Sequence, residues 1–126
     1  MTATATTEGI KISVRVKFEG FSSYEKKYVF SYQIYIENNS NITVQLMRRH
    51  WFISDSNGAK REVEGAGVVG EQPILEPSQM HYYTSWCPLE TEIGMMKGTF
   101  LMEKEDGSTF KVVVPEFQML VPHRMN

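Results

Sequence analysis

The sequence predicts an all-β fold, an antiparallel sandwich or barrel of about seven to eight strands. Three observations carry this expectation. Apolar and polar residues alternate strictly over Ile10, Ile12, Val14, Val16 and Phe18, and again over Tyr28, Phe30, Tyr32, Ile34 and Ile36, the mark of strands with one buried face. Turn dipeptides, Asn57-Gly58 and Asp106-Gly107 among them, punctuate such runs at near-regular intervals. No stretch sustains a helical period.

Taken in order, residues 1–8 are Thr- and Ala-rich and are expected to form a flexible polar tail. Residues 9–126 are expected to form a single domain. The first alternating run is one strand, 20–27 is a polar connection, and the second run is the next strand. Asn38-Asn-Ser-Asn41 ends it, because these side chains bond nearby backbone and tolerate turn dihedrals. A third strand covers about 42–55, and its parity breaks. Val44 and Leu46 share one face, Trp51 and Ile53 the other, so one extra residue is expected near Arg48-Arg49-His50 as a bulge.

Asn57-Gly58 predicts a tight hairpin with left-handed backbone tolerated at both positions, and 59–63 returns as a short strand. The stretch from Gly65 to Gly70 holds glycines spaced as G-x-G-x-x-G, followed by Pro73. Pro77 suits a turn, 80–86 is aromatic and β-prone, and 87–94 is a longer connection. Residues 97–104 and 108–114 flank the Asp106-Gly107 hairpin. Pro115 closes the last strong run, and Phe117, Met119 and Val121 add a final edge segment. Trp51 is expected as a plug between the two sheets. Its truncation to Ala should cost about 3–5 kcal/mol.

At 126 residues the chain suits one domain, large enough to fold without disulfides or a structural metal. Hydrophobic residues make up 41%, which excludes general disorder. Thirteen basic and fifteen acidic residues leave a net charge of −2, which argues against a broad nucleic-acid surface, and no DNA partner is expected. The single cysteine, Cys87, excludes an intramolecular disulfide. No apolar run is long enough for a membrane helix, and the start lacks the pattern of a signal peptide. A cytoplasmic setting is expected. The sequons at Asn38 and Asn41 therefore read as turn chemistry.

Several short motifs carry a resemblance: Val44-Gln-Leu46, Arg49-His-Trp51, Gly65-x-Gly-Val-Val-Gly70 with Gln72-Pro73, Tyr83-Thr-Ser85, Gly94-x-Met-x-Gly98 and Pro115-x-Phe117. In this order, and over about 9–122, the chain resembles the ApaG family. Trp86-Cys87 departs where many members have a glycine, and Ser78 replaces a turn glycine. The resemblance implies an immunoglobulin- or fibronectin type III-like β-sandwich. It also implies an association with cobalt and magnesium tolerance, and a role as an interaction module in larger eukaryotic proteins. It implies no reaction.

The chemistry-bearing residues give two competing readings. Gly65, Gly67 and Gly70 with Arg49, aided by Arg48 or Arg61, suggest an anion site for nucleotide or pyrophosphate, since bare backbone amides can converge on an anion. Against it, the dinucleotide fingerprint needs a helix after the glycines, and Pro73 arrives instead. The other reading is a structural corner whose exposed residues, Val68, Val69, Glu71 and Gln72, meet a protein partner. His50, His81 and His123 lie far apart, and with Glu62, Glu64 and Glu71 they form no metal-binding spacing. No cofactor is expected. Ser85 lacks a nucleophile elbow, Cys87 has no evident base, and Met95 and Met96 read equally as contact surface or core. The expectation is a non-enzymatic binding module, monomeric or weakly dimeric, with any effect on cation efflux indirect.

Overall fold

The computed structural model describes residues 2–124, and its order follows from the alternation. Nine strands form two antiparallel sheets: β1 Thr2–Thr7, β2 Ile10–Ser22, β3 Lys27–Asn38, β4 Val44–Asp55, β5 Lys60–Ala66, β6 Ile74–Leu75, β7 Met80–Leu89, β8 Ile93–Lys104 and β9 Thr109–Leu120. One sheet has the order β1-β2-β3-β7. The other runs β5-β4-β8-β9, with β6 also paired to β4. Inward residues of each strand meet in the core, so β2 gives Ile10, Ile12 and Val14 while β3 gives Phe30, Tyr32, Ile34 and Ile36. A short 3-10 turn, Pro122–Arg124, follows β9.

Residues 2–7 are not the expected tail. They pair with β2 from Thr2↔Arg15 to Thr7↔Ile10, through a two-residue turn in which Glu8 and Gly9 both have positive φ. Thr7 Oγ1 also accepts the Val113 N–H of β9 at 3.1 Å, so β1 closes one side of the sandwich. Met1, the remaining tail residue, and 125–126 lie outside the described residues. The strands beyond the expected seven to eight are β1 and the short β6.

The parity break in β4 is resolved by a bulge one residue before the expected place. Leu46 pairs with Met102 and Arg48 with Leu101, leaving Met47 as the extra residue. The shift returns Trp51 and Ile53 to the inner face, and it turns Arg49 inward with them. Trp51 is 3% exposed, and its ring lies 5.6 Å from Tyr32, 5.9 Å from Phe100 and 6.3 Å from Phe117. It is the expected plug between the sheets.

Pro115 does not end a strand. β9 runs through it, because Met96↔Phe117 gives way to Gly98↔Val114 and leaves Pro115 and Glu116 opposite Lys97 alone. A bulge is where a sheet tolerates a residue with no N–H. Connections are also shorter than expected: β2 extends to Ser22, β7 to Leu89, and β8 starts at Ile93. The Asn57-Gly58 turn has a left-handed residue only at Gly58. Asp55 N–H bonds Ala59 O at 2.8 Å, making a three-residue loop of the glycine-bulge type rather than the two-residue turn expected.

Candidate functional site: the glycine stretch and its arginine

β5 leads from Lys60 into the glycine stretch along the outer edge of its sheet, and the stretch folds back on itself. Gly65 and Ala66 still pair with Arg49 and Arg48 of β4. Gly67 then turns left-handed at φ 63. A Cβ there would stand 2.2 Å from the Glu71 carbonyl oxygen, so no other residue fits without moving backbone. Val68 N–H donates to Glu71 O at 2.8 Å and Glu71 N–H returns to Val68 O at 3.0 Å. Val69 and Gly70 between them both have positive φ, 47 and 77, the two-residue turn whose twist suits a hairpin.

Nearly every donor here is used locally. Gly67 N–H reaches the carbonyl of the bulged Met47 at 2.9 Å, and Gln72 Nε2 donates to the same oxygen at 3.0 Å. Arg49 packs its guanidinium against Gly65 and donates from Nη1 to Ala66 O at 2.9 Å and Gly67 O at 3.1 Å. The β4 bulge and the glycine stretch are thus one device. The bulge turns Arg49 inward, and Arg49 satisfies the carbonyls that the left-handed corner frees.

This placement divides the expected site residues. Gly65, Gly67 and Arg49 come together, but the amides of Gly67, Val68 and Glu71 face backbone carbonyls rather than an open anion pocket. Gly70 and Val69 form the tip, with Val69 61% exposed. Val68 is a core residue at 1% exposure, so it is corrected from partner contact to anchor of the turn. Glu71 and Gln72 are exposed. Arg48 faces outward and pairs with Glu64 at 3.7 Å. Arg61 reaches across to the other sheet, bonding Pro88 O and lying 3.4 Å from Cys87 Sγ.

Between β5 and β7 the sandwich has a polar seam that sequence reasoning missed. Tyr83 faces inward, and burial, with neighbouring Tyr32 adding, pushes its hydroxyl pKa well above the usual value of 10.0, while Arg49 opposes the rise. Among the described residues its Oη is buried without a hydrogen-bond partner, as is His81 Nε2, although Glu71 Oε2 lies 3.6 Å from the latter. Tyr32 is raised by burial, and the hydrogen bond with Ser85 opposes this. The sequence-level signal was the parity of Tyr83 and Ser85, which pattern alone left undecided.

The remaining candidates do not assemble. His50 bonds Glu62 at 2.5 Å, His81 neighbours Glu71, and His123 pairs with Glu92, at three separate places. Among the described residues no group of three or more His, Cys, Asp and Glu could hold a metal ion. Burial raises the Cys87 thiol pKa above its ordinary value, with Arg61 opposing. Met96 is core and Met95 half-buried on the outer face. Among the described residues no helix is long and apolar enough to cross a membrane.

Comparison with known proteins decides the lineage. Residues 19–104 match the ApaG domain model. The chain belongs to the ApaG family. It is 43% identical to Protein ApaG of Anaeromyxobacter dehalogenans over 98% of this chain and 99% of that one. It is 48% identical to Protein ApaG of Methylobacterium nodulans, over 94% and 93%. A crystal structure of a putative ApaA protein from Bordetella pertussis, 38% identical, superposes with a TM-score of 0.84 over 90% of this chain and 94% of that one. The ApaG fold is therefore the sandwich described above, and the names of these relatives state no reaction.

Proposed function

We propose that this ApaG-family chain is a non-enzymatic, cytosolic binding module that docks a protein partner on the Val69 tip and the adjoining edge strand β5. The observation that carries the reading is Val69 itself. A β-branched residue with positive φ is an outlier, and a left-handed L residue costs about 1–2 kcal/mol. Asn would sit there more comfortably. An apolar side chain that is both strained and 61% exposed has a reason to be there in contact with something.

The surroundings suit such a contact. Among the described residues β5 pairs only with β4 and leaves its other edge open, exposed along most of its length, and onto that edge an extended segment of the partner adds as a further strand. Glu71 and Gln72 rim the tip, and Ile74 nearby is exposed. The module acts as a monomer or weak homodimer, and its link to cobalt and magnesium homeostasis runs indirectly through the partner. The competing reading, nucleotide or pyrophosphate on Gly65, Gly67, Gly70 and Arg49, has less support, because that arginine and the Gly67, Val68 and Glu71 amides are already bonded to backbone carbonyls.

A photo-crosslinker placed at position 69, with a matched one at Asp106 in the β8–β9 turn, tests the reading in living cells. A partner trapped only from position 69, whose purified form binds the wild type and binds Val69→Asn at least about tenfold more weakly (roughly 1.4 kcal/mol), supports it. Equal trapping from both sites, or unchanged affinity, refutes it.

A further inference from the structure

The outer face of the β1-β2-β3-β7 sheet carries an arrangement that the Val69 reading does not use. On β7, Tyr82 and Trp86 point to solvent, 47% and 59% exposed. Tyr35 of β3 packs beside Tyr82 with ring centroids 4.9 Å apart. On β2, Arg15 and Lys17 are exposed on the same face. Lys11 is paired with Glu37 at 4.0 Å, whereas among the described residues Arg15 and Lys17 make no such ion pair. Glu19 accepts a hydrogen bond from Ser31, the residue that stands between Lys17 and Trp86, so one carboxylate lies beside Lys17 and leaves Arg15 as the cation clear of it.

Register fixes how these stripes lie. Lys17 stands opposite Ser31, and Ser31 opposite Trp86; Arg15 stands opposite Gln33, and Gln33 opposite Thr84. The cationic stripe on β2 therefore runs parallel to the aromatic stripe on β7, two strand spacings or roughly 10 Å away. Tyr82 and Trp86, four residues apart, are separated by about 13 Å along the strand. Exposed rings spaced along one strand, with cations at that distance, match a polymer with planar bases on one side and phosphates on the other.

We propose that this face binds single-stranded nucleic acid, with bases stacking on Trp86 and Tyr82 and phosphates meeting Arg15 and Lys17. The net charge of −2 opposes a duplex-wide footprint but not a narrow one, since stacking is sequence-tolerant and needs few cations. A neutral glycan would use the rings and leave both cations idle.

Trp86 fluorescence is the readout, because the only other tryptophan, Trp51, is buried. Oligouridylate and oligothymidylate, titrated separately at low salt, should each quench the wild type. The pair also separates the sources, as quenching by only one identifies RNA or DNA as the ligand. Followed by anisotropy of labelled oligomer, Trp86→Ala should bind at least about fivefold more weakly and Trp86→Phe should recover most of the loss. Arg15→Gln with Lys17→Gln should lower the log-log salt slope by roughly 1.4. Equal thermal midpoints for all variants show that folding is intact. The proposal is overturned by no binding of either oligomer, by binding indifferent to Trp86→Ala and to the double substitution, or by quenching with neutral oligosaccharide instead.

Discussion

Val69 holds a left-handed φ of 47 next to Gly70 at 77, and the strain there is measurable. Val69→Asn should raise stability by about 1 kcal/mol, because Asn accepts that conformation where a β-branched side chain crowds it. Denaturant unfolding checks this, and a loss of stability would mean that Val69 packs rather than strains. Tyr83 makes a second residue-scale test. Its hydroxyl is buried without a partner among the described residues and its pKa is raised, so the folded state keeps the proton that the unfolded state releases near pH 10. The stabilising share of that group is intact below pH 10 and lost as pH climbs towards the folded value. Tyr83→Phe should be nearly neutral at pH 7, within about 1 kcal/mol, and should flatten the decline in stability above pH 10. Neither feature was legible beforehand. Glycine spacing in G-x-G-x-x-G resembles a phosphate loop, but which amides are free depends on the Met47 bulge and on Arg49 turning inward, both long-range facts.

At the scale of elements, alternation located most strands because each has one buried face, and the broken parity of β4 announced its bulge to within a residue. The misses have physical causes. β1 reads as a tail because its inward residues, Ala3 and Ala5, are too small to give a hydrophobic signal, although Thr alternates with them and Glu8-Gly9 can turn. Pro115 reads as a stop because only the opposing register reveals the bulge that shelters it. Deleting residues 1–7 should therefore destabilise the fold by roughly 2–4 kcal/mol, since it removes six cross-strand pairs worth about 0.2–1 kcal/mol each. Urea unfolding of the truncated chain measures this; an unchanged midpoint would mean that β1 is the tail its composition suggested. Asn38 is a quieter element-scale device. It is fully buried, and its amide donates to Ile42 O at 2.8 Å and Leu75 O at 2.9 Å. That ties the end of β3 to β6 and accounts for the sequon as turn chemistry.

For the whole molecule, two sheets close over Trp51, and side chains bridge the sides: Thr7 to β9 on one, Arg61 to β7 on the other. Within that frame the glycine stretch is a self-satisfied corner that presents a strained apolar tip. Fold class and family were readable from the chain because period and motif order are local. The site was only half readable, because glycine spacing singled out Gly65, Gly67 and Gly70 while the bonding of that stretch depends on long-range pairing with β4. Amide hydrogen exchange, resolved by residue with and without millimolar pyrophosphate, tests this most directly. The Gly67, Val68 and Glu71 amides should be protected, Val69 and Gly70 should exchange fast, and pyrophosphate should change neither group. Fast exchange at Gly67, Val68 and Glu71 that slows when pyrophosphate is added would contradict the account.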